Sequence, residues 1–378
     1  MHLYFHAIAT LFLFFSLASL FHLRHARRLP PLGTSPIEPR YGVTVIIAAR
    51  NEADRIRQTL TRILAQRGID LQVIVVNDRS VDDTRQVVES IAGLDPRVKA
   101  VTVSELPEGW LGKCHACHIG SKLAEKPWIL FTDADCWLKS DTLIRAIRQA
   151  EINGVDHITL TPGVDPETLP ARAWHIAFLI TLSNCFSGTN LNKAGAHFGI
   201  GAFNLMRRDA YLKIGGHEKL RLTVVDDFKL GKLLHLAGYK TRAFIGGDDV
   251  ECHWGKRASE MVRLMEKNYY AASDFNTAGV WGIVIFTIAT YGGAMIGLIS
   301  GRSDGLLAGV SPFFMLAPAL VCSQRLKWKW SAALFVPFIF PYLFYAVFNS
   351  MRVTLKQGGI SWRETFYPLE ELKKHGVH

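Results

Sequence analysis

Residues 128–137 read Trp128-Ile129-Leu130-Phe131-Thr132-Asp133-Ala134-Asp135-Cys136-Trp137, an apolar run of strand length that stops at two carboxylates separated by one alanine. In an extended chain alternate side chains share a face, so Asp133 and Asp135 are expected to project together. Two carboxylates aimed at one place repel each other, whereas a divalent ion bridging them to phosphate oxygens turns repulsion into ligation. The pattern reads either as a metal-diphosphate site or as a surface turn, because Asp is also common where buried strands end. Asp-x-Asp alone does not separate the two, and the flanking sequence has to.

Upstream, Val43-Thr44-Val45-Ile46-Ile47-Ala48-Ala49 is a β-branched run of the kind found in buried parallel strands, and it ends in Arg50-Asn51-Glu52. An amphipathic helix follows through about Gln66, with Gly68 as its stop. Val73 to Val76 predicts a second strand ending in Asn77-Asp78-Arg79-Ser80, Asp82-Asp83-Thr84 opens another helix, and Val98 to Val103 predicts a third strand. This alternation predicts an α/β fold with a mainly parallel sheet. Ligands of such sheets collect at the carboxyl ends of the strands, and here three strand ends carry polar clusters. No Gly-x-Gly-x-x-Gly or Walker sequence follows the first strand, which disfavours dinucleotide dehydrogenases and P-loop enzymes.

Composition adds a membrane. The 378 residues are 49% hydrophobic with a mean hydropathy of +0.14, high for a wholly soluble chain. Leu3 to Leu23 is one nearly uncharged apolar stretch, and three more lie near Val280 to Ser300, Leu306 to Cys322 and Ala332 to Ser350, so four spans are expected. The first has no basic residue before it and no small-x-small cleavage site, and so reads as an uncleaved anchor. Arg24, Arg27 and Arg28 behind it place the polar region in the cytoplasm by the positive-inside rule. A net charge of +10 suits anionic lipid headgroups, while no zinc-finger spacing, helix-turn-helix signal or aromatic platform supports nucleic acid as a partner. Arg172 to Ile180 is apolar but too short to span, which leaves an interfacial helix or a core helix. Four crossings would leave the tail outside. A break at Pro337 and Pro341 into a re-entrant pair would return it inside, where Arg352 and Lys356 fit better, and both readings stay open.

Six cysteines, at 114, 117, 136, 185, 252 and 322, fall in or near a region assigned to the reducing side, so structural disulfides are not expected. Cys114-His115-Ala116-Cys117-His118 matches the pattern for covalent haem attachment, but that chemistry belongs on the oxidising side, and a second ligand pair at zinc-finger spacing is missing.

Taken together, Ala48-Ala49-Arg50-Asn51-Glu52, Val76-Asn77-Asp78-Arg79-Ser80-Val81-Asp82-Asp83-Thr84 and Thr132-Asp133-Ala134-Asp135 resemble the nucleotide-sugar motifs of the family 2 glycosyltransferases. Leu106-Pro107-Glu108-Gly109-Trp110-Leu111-Gly112-Lys113 is similar to a segment of the membrane-bound members that act on lipids, such as hopanoid-associated, carotenoid-type and ceramide glucosyltransferases. The resemblance covers roughly Val43 to Leu369 and implies a GT-A fold carrying transmembrane helices. It implies that Ala49, Arg50, Glu52 and Asp78 bind the donor, with Asp78 on the uracil ring, and that Lys113 and Asp133 lie at the diphosphate. Asp133 and Asp135 would surround a divalent metal, Mg2+ or Mn2+. Val224-Val225-Asp226-Asp227-Phe228 resembles the family's acid pair, with Asp227 as general base and Asp226 beside it. Gly199 to Tyr211 and Gly215-Gly216-His217 resemble the acceptor-side segment, read as strand, short helix and glycine stop.

The Gln-x-x-Arg-Trp motif of processive synthases is absent; the region reads His253-Trp254-Gly255-Lys256-Arg257, then Arg263-Leu264-Met265-Glu266-Lys267-Asn268. This argues for transfer of a single sugar, with His253, Trp254, Arg263 and Lys267 as candidates for the acceptor or the leaving diphosphate. The expected organisation is an anchor over 1–28, a cytoplasmic catalytic domain over 40–275, an apolar region over 277–352 and a tail over 353–378. The activity expected is transfer of one hexose from a UDP-sugar to a lipid or polyprenoid. The alternatives are a nucleotidyltransferase on a similar sheet and a silent lipid-binding partner.

Overall fold

The computed structural model describes residues 1–33, 41–253, 255–363 and 365–377. Trp254 and part of the Pro-rich linker, 34–40, therefore lie outside the described residues. The chain divides into two compact units: one of residues 28–164, 188–253 and 375–378, the other of residues 1–27, 165–187 and 254–374.

The first unit is built on one eight-stranded sheet in the order β3-β2-β1-β4-β7-β6-β8-β5. Its strands are β1 (Tyr41–Ala49), β2 (Ile69–Asp78), β3 (Val98–Val103), β4 (Trp128–Asp133), β5 (Cys136–Leu138), β6 (His157–Val164), β7 (Asn204–Arg207) and β8 (Thr241–Cys252). The β3-β2-β1-β4 half is parallel throughout, and the β6–β8 pair is parallel too. The short β7 runs antiparallel between β4 and β6, and β5 runs antiparallel on the edge beside β8. Val43, Val45, Ile46 and Ile47 of β1 are fully buried, as a strand covered on both faces requires. The crossovers carry α2 (Ala53–Leu64), α3 (Thr84–Ala92), α4 (Gly112–Lys122) and α5 (Thr142–Asn153), and α7 (Arg208–Lys213) and α8 (Asp226–Leu236) follow β7. The expected α/β, mainly parallel architecture is what the chain adopts.

One local expectation changes. Extended chain ends at Asp133, and Ala134-Asp135 form the turn into β5, so a turn rather than strand alternation sets the direction of Asp135. On the edge strand, Cys136 is the register partner of Cys252; the two form no disulfide, and their sulfurs lie 2.7 Å apart.

The second unit contains α1 (His2–Leu23) and most of α6 (Leu169–Asn190), whose 22 residues far exceed the short segment expected there. Among the described residues, four helices are long and apolar enough to cross a membrane: α1, Thr277–Ile299, Ser303–Arg325 and Trp330–Gln357. Two short helices, α9 (Ala258–Met265) and α10 (Tyr269–Ala272), precede the second of these, and a hairpin of Gly359–Trp362 with Thr365–Pro368 follows the last.

Candidate active site

The loops after β1 and β2 are tied to each other. Asn51 N–H donates to Ser80 Oγ at 3.0 Å, Glu52 N–H to Thr84 Oγ1 at 2.8 Å, Ala53 N–H to Asp82 Oδ2 at 3.1 Å, and Asn51 Oδ1 accepts from Val81 N–H at 2.9 Å. Ser80, Asp82 and Thr84 thus hold loop shape, leaving Ala49, Arg50 and Glu52 at the end of β1 and Asp78 at the end of β2. Asp78 is buried and takes Arg79 in a two-point contact, Nε at 2.8 Å and Nη2 at 3.2 Å. Gly112, the first residue of α4, abuts the same carboxylate: a Cβ there would lie 2.3 Å from Asp78 Oδ2.

Next along α4, Lys113 reaches into a cluster of acids. Its Nζ donates to Asp133 Oδ1 at 2.7 Å and lies 3.8 Å from Asp226 Oδ1. Asp226 and Asp227 both stand in the first turn of α8, where unpaired backbone N–H groups favour negative charge. Asp227 is held at both oxygens, Oδ2 by Gly201 N–H at 2.5 Å and Oδ1 by Phe228 N–H at 2.8 Å. Gly201 lies at the centre: a Cβ on it would sit 2.8 Å from Asp133 Oδ2 and 3.2 Å from both Asp227 Oδ2 and Lys113 Nζ. These side chains line one pocket, with His217 and Cys117 at its back. His217 Nε2 is 3.4 Å from Asp226 Oδ2 and its Nδ1 is 2.9 Å from Tyr211 OH.

One ammonium faces three carboxylates, and the titration of the cluster reflects that imbalance. Burial and the neighbouring Asp226 push the Asp227 carboxyl up to about 6, with Lys113 offsetting part of the shift. Burial works against the Lys113 charge, but Asp133, Asp226 and Asp227 outweigh it and hold the ammonium well above its ordinary range. Burial, then Asp133 and Glu52, push Asp135 up to about 6, and Arg55 at 3.4 Å compensates only partly. Asp133 and Asp135 are near enough for the first to push the carboxyl of the second up, and carboxylate oxygens are hard donors of the kind that fit a divalent cation.

Of the residues singled out from sequence, Lys113, Asp133, Asp226 and Asp227 meet directly, while Asp78 and Asp135 each have an arginine partner of their own. His253 follows β8 and packs on Trp137 with ring centroids 3.8 Å apart; its Nε2 has no hydrogen-bond partner among the described residues. Arg263 on α9 and Lys267 belong to the other unit, where Lys267 Nζ sits 3.6 Å from the Trp362 ring centroid. The sequence motifs did not single out Gly201, Asn204 and Cys117 as site residues. Residues 199–203 are not strand, as expected, but a loop closing over the acids, and the pair Gly199-x-Gly201 was the available signal for such close backbone approach. Cys114 and Cys117 part ways: the Cys114 thiol donates to Thr223 O at 3.5 Å, and Cys117 faces the pocket with its sulfur within 4.8 Å of ligand atoms of His217 and Asp226.

Comparison with known families bears directly on this pocket. Residues 44–215 match the model described as Glycosyl transferase family 2. Over those residues the chain is similar to that family. Among the curated proteins the chain is similar to are the 4,4'-diaponeurosporenoate glycosyltransferases of Staphylococcus aureus strains USA300 and NCTC 8325 / PS 47, each 30% identical over 222 residues. That alignment takes in 57% of this chain and 56% of the relative, so the chain spans about half the length of the curated relatives it matches. In fold, the chain is similar to the mannosyltransferase PcManGT of Pyrobaculum calidifontis, solved in complex with GDP-Man and Mn2+. The TM-score is 0.55 at 18% identity, covering 93% of this chain and 99% of that one.

Proposed function

We propose that the protein transfers one hexose from a nucleotide-diphospho-sugar, a UDP-hexose, to a lipid or polyprenoid acceptor, with inversion at the anomeric carbon and without processive extension. The observation that carries this reading is the meeting of Lys113, Asp133, Asp226 and Asp227 around Gly201. Fold alone would not license it, since similar sheets serve many reactions. The carotenoid-type relatives support a lipid acceptor, and the four apolar helices support a membrane setting.

Asp227 has the properties of a general base. Its carboxylate is fixed by two backbone N–H groups, and a group titrating at about 6 is ionised yet still basic near neutral pH. As the acceptor oxygen attacks the anomeric carbon, its proton passes to Asp227; the bond to the diphosphate breaks, and its electron pair leaves on the phosphate oxygen. Lys113, tethered between Asp133 and Asp226, is the cation that meets the leaving diphosphate. Asp133 and Asp135 would hold Mg2+ or Mn2+, which supplies positive charge to the diphosphate. Asp78 and the β1-end residues Ala49, Arg50 and Glu52 take the nucleotide, and His253, with its Nε2 unpartnered among the described residues, is a candidate contact for the acceptor or the diphosphate. Arg24, Arg27 and Arg28 support a multi-pass protein of the cell membrane with this domain in the cytoplasm.

The test is incubation of the purified full chain with a panel of radiolabelled UDP- and GDP-hexoses, Mg2+ or Mn2+, and a membrane lipid extract. A single-sugar lipid product that requires the metal and is lost in Asp227→Asn is expected. Conversion of the UDP-hexose and added pyrophosphate to UTP and hexose 1-phosphate, with no lipid product, would point to nucleotidyl transfer, and no product with any donor would sink the reading.

A further inference from the structure

The fourth apolar helix, Trp330–Gln357, is long enough to cross a bilayer, yet contacts within its own unit bring both its ends to one level. Helix α1 provides the ruler. At its start His2 Nδ1 lies 2.7 Å from Asp304 Oδ2, at the beginning of Ser303–Arg325. Further along, Ser16 Oγ donates to Phe314 O at 2.7 Å. Past its end, Ala26 O accepts from Arg325 Nη1, at the far end of that same helix. Thr277–Ile299 runs the opposite way, since Phe15 meets Phe286 and Phe12 meets Tyr291, with ring centroids 5.8 and 5.2 Å apart. Thr277 is therefore level with the end of α1, and Ile299 with its start.

Trp330 follows closely on Arg325, with Trp328 N–H turned back onto Ser323 O, so the fourth helix begins at the level where α1 ends. Phe338 then reaches Phe313, ring centroids 5.6 Å apart, beside the Phe314 carbonyl that meets Ser16. A crossing helix would go on to the level of His2 and Ile299. Instead Phe348 packs on Trp281 at 5.4 Å between centroids, Asn349 Nδ2 donates to Glu266 Oε1 at 3.0 Å, and Ser350 Oγ accepts Tyr270 N–H at 3.0 Å. Glu266 and Tyr270 precede Thr277 and so stand at its entry side. Trp362, beyond the helix, takes Lys267 over its ring.

We propose that Trp330–Gln357 is a re-entrant element inserted into a single lipid leaflet, so that the chain crosses three times and the tail from Gly359 returns to the face where α1 ends. Trp330 to Phe338 is roughly 15 Å of helix contour, so the element reaches no deeper than about half of a hydrocarbon core of about 30 Å. Its first limb is a 3₁₀ turn, Trp330–Phe335, and an α-helix with Pro337 in its first turn takes over at Val336. Ala332, Ala333 and Val336 at that junction are buried, which is where a membrane protein tolerates a change of backbone geometry. With this topology Arg24, Arg27, Arg325, Lys327, Lys329, Arg352 and Lys356 all gather on one face, whereas a fourth crossing would strand Arg352 and Lys356 on the other.

The inference does not depend on sugar transfer and is tested without it. Single cysteines are introduced into the full chain at Ala272→Cys, Ser303→Cys and Glu371→Cys, all exposed positions, and labelled with a membrane-impermeant maleimide in sealed vesicles of both orientations. The unsubstituted chain gives the background of its own six cysteines. Glu371→Cys is expected to label in the same vesicles as Ala272→Cys, and Ser303→Cys in the opposite ones. Labelling of Glu371→Cys together with Ser303→Cys overturns the inference, as does labelling of Ala272→Cys and Ser303→Cys from one face.

Discussion

Lys113 Nζ donates to Asp133 Oδ1 at 2.7 Å, joining the first turn of α4 to the end of β4. The ammonium is thus already in place before any phosphate arrives, and it is the charge on which Asp226 and Asp227 also lean. Lys113→Met should lower kcat/KM by about 10²–10³-fold, the usual cost of losing a positioned charge at a developing anion. Steady-state kinetics with the accepted donor checks this, and a loss of less than tenfold would remove Lys113 from the diphosphate.

Asp135 has Asp133 and Glu52 as negative neighbours, which Arg55 at 3.4 Å offsets only in part. Asp135→Ala should abolish metal-dependent transfer while leaving the thermal melt of the protein nearly unchanged, because burial and its negative neighbours already disfavour this carboxylate in the folded chain. Titration of activity with Mn2+ reads the outcome, and a wild-type metal dependence in the mutant would count against ligation at this position.

Asp227→Asn keeps the side chain's shape but cannot take up a proton. Turnover should fall about 10²–10⁴-fold with donor affinity retained. Wild-type kcat/KM should rise with pH to a plateau above about 6, the value to which burial and Asp226 push this carboxyl. Stability moves the other way. As pH climbs from 3.8 through about 6, the unfolded chain releases this proton before the folded one does, so the group's contribution to stability is lost over that window. A flat rate profile between pH 5 and pH 8, or loss of donor binding in Asp227→Asn, would reassign the residue.

Arg145 is buried with both Nη atoms on Asp249, at 2.7 and 3.1 Å, while its Nε and Nη2 also donate to Pro30 O and Leu29 O at 2.8 Å. Arg145→Ala leaves the Asp249 charge and two carbonyls without this partner, and breaking a buried pair in this way costs about 3–5 kcal/mol. The expected readout is a marked fall in Tm with little change in KM for the donor. An unaltered Tm would mean that water replaces the guanidinium.

Much of the catalytic unit was legible from local pattern. The β-branched runs at Val43 to Ala49, Val73 to Val76 and Val98 to Val103 became β1, β2 and β3; the first two are apolar because a strand covered on both faces must be, while the edge strand β3 exposes Lys99 and Thr102. The polar clusters that end β1, β2 and β4 follow from the same periodicity, since the chain turns polar where it leaves the sheet. Apolar length also marked the helices capable of crossing a membrane.

Only the tertiary structure decided what those pieces do to one another. Asp133, Gly201 and Asp227 are far apart in sequence, and they meet because β7 inserts antiparallel beside β4 and brings the 199–203 loop over the acids. No local pattern carries that strand order, which depends on burial summed over the whole sheet. His217, in the short turn Gly216–Glu218, and Cys117 of α4 likewise gained their place beside Asp226 only through tertiary packing. The sequence left open whether the last apolar segment crosses, because length and hydropathy are the same for a span and for a helix that turns back. The contacts of Phe338, Phe348 and Ser350 distinguish the two, since depth in a membrane is a relation between helices and is written in neither one alone.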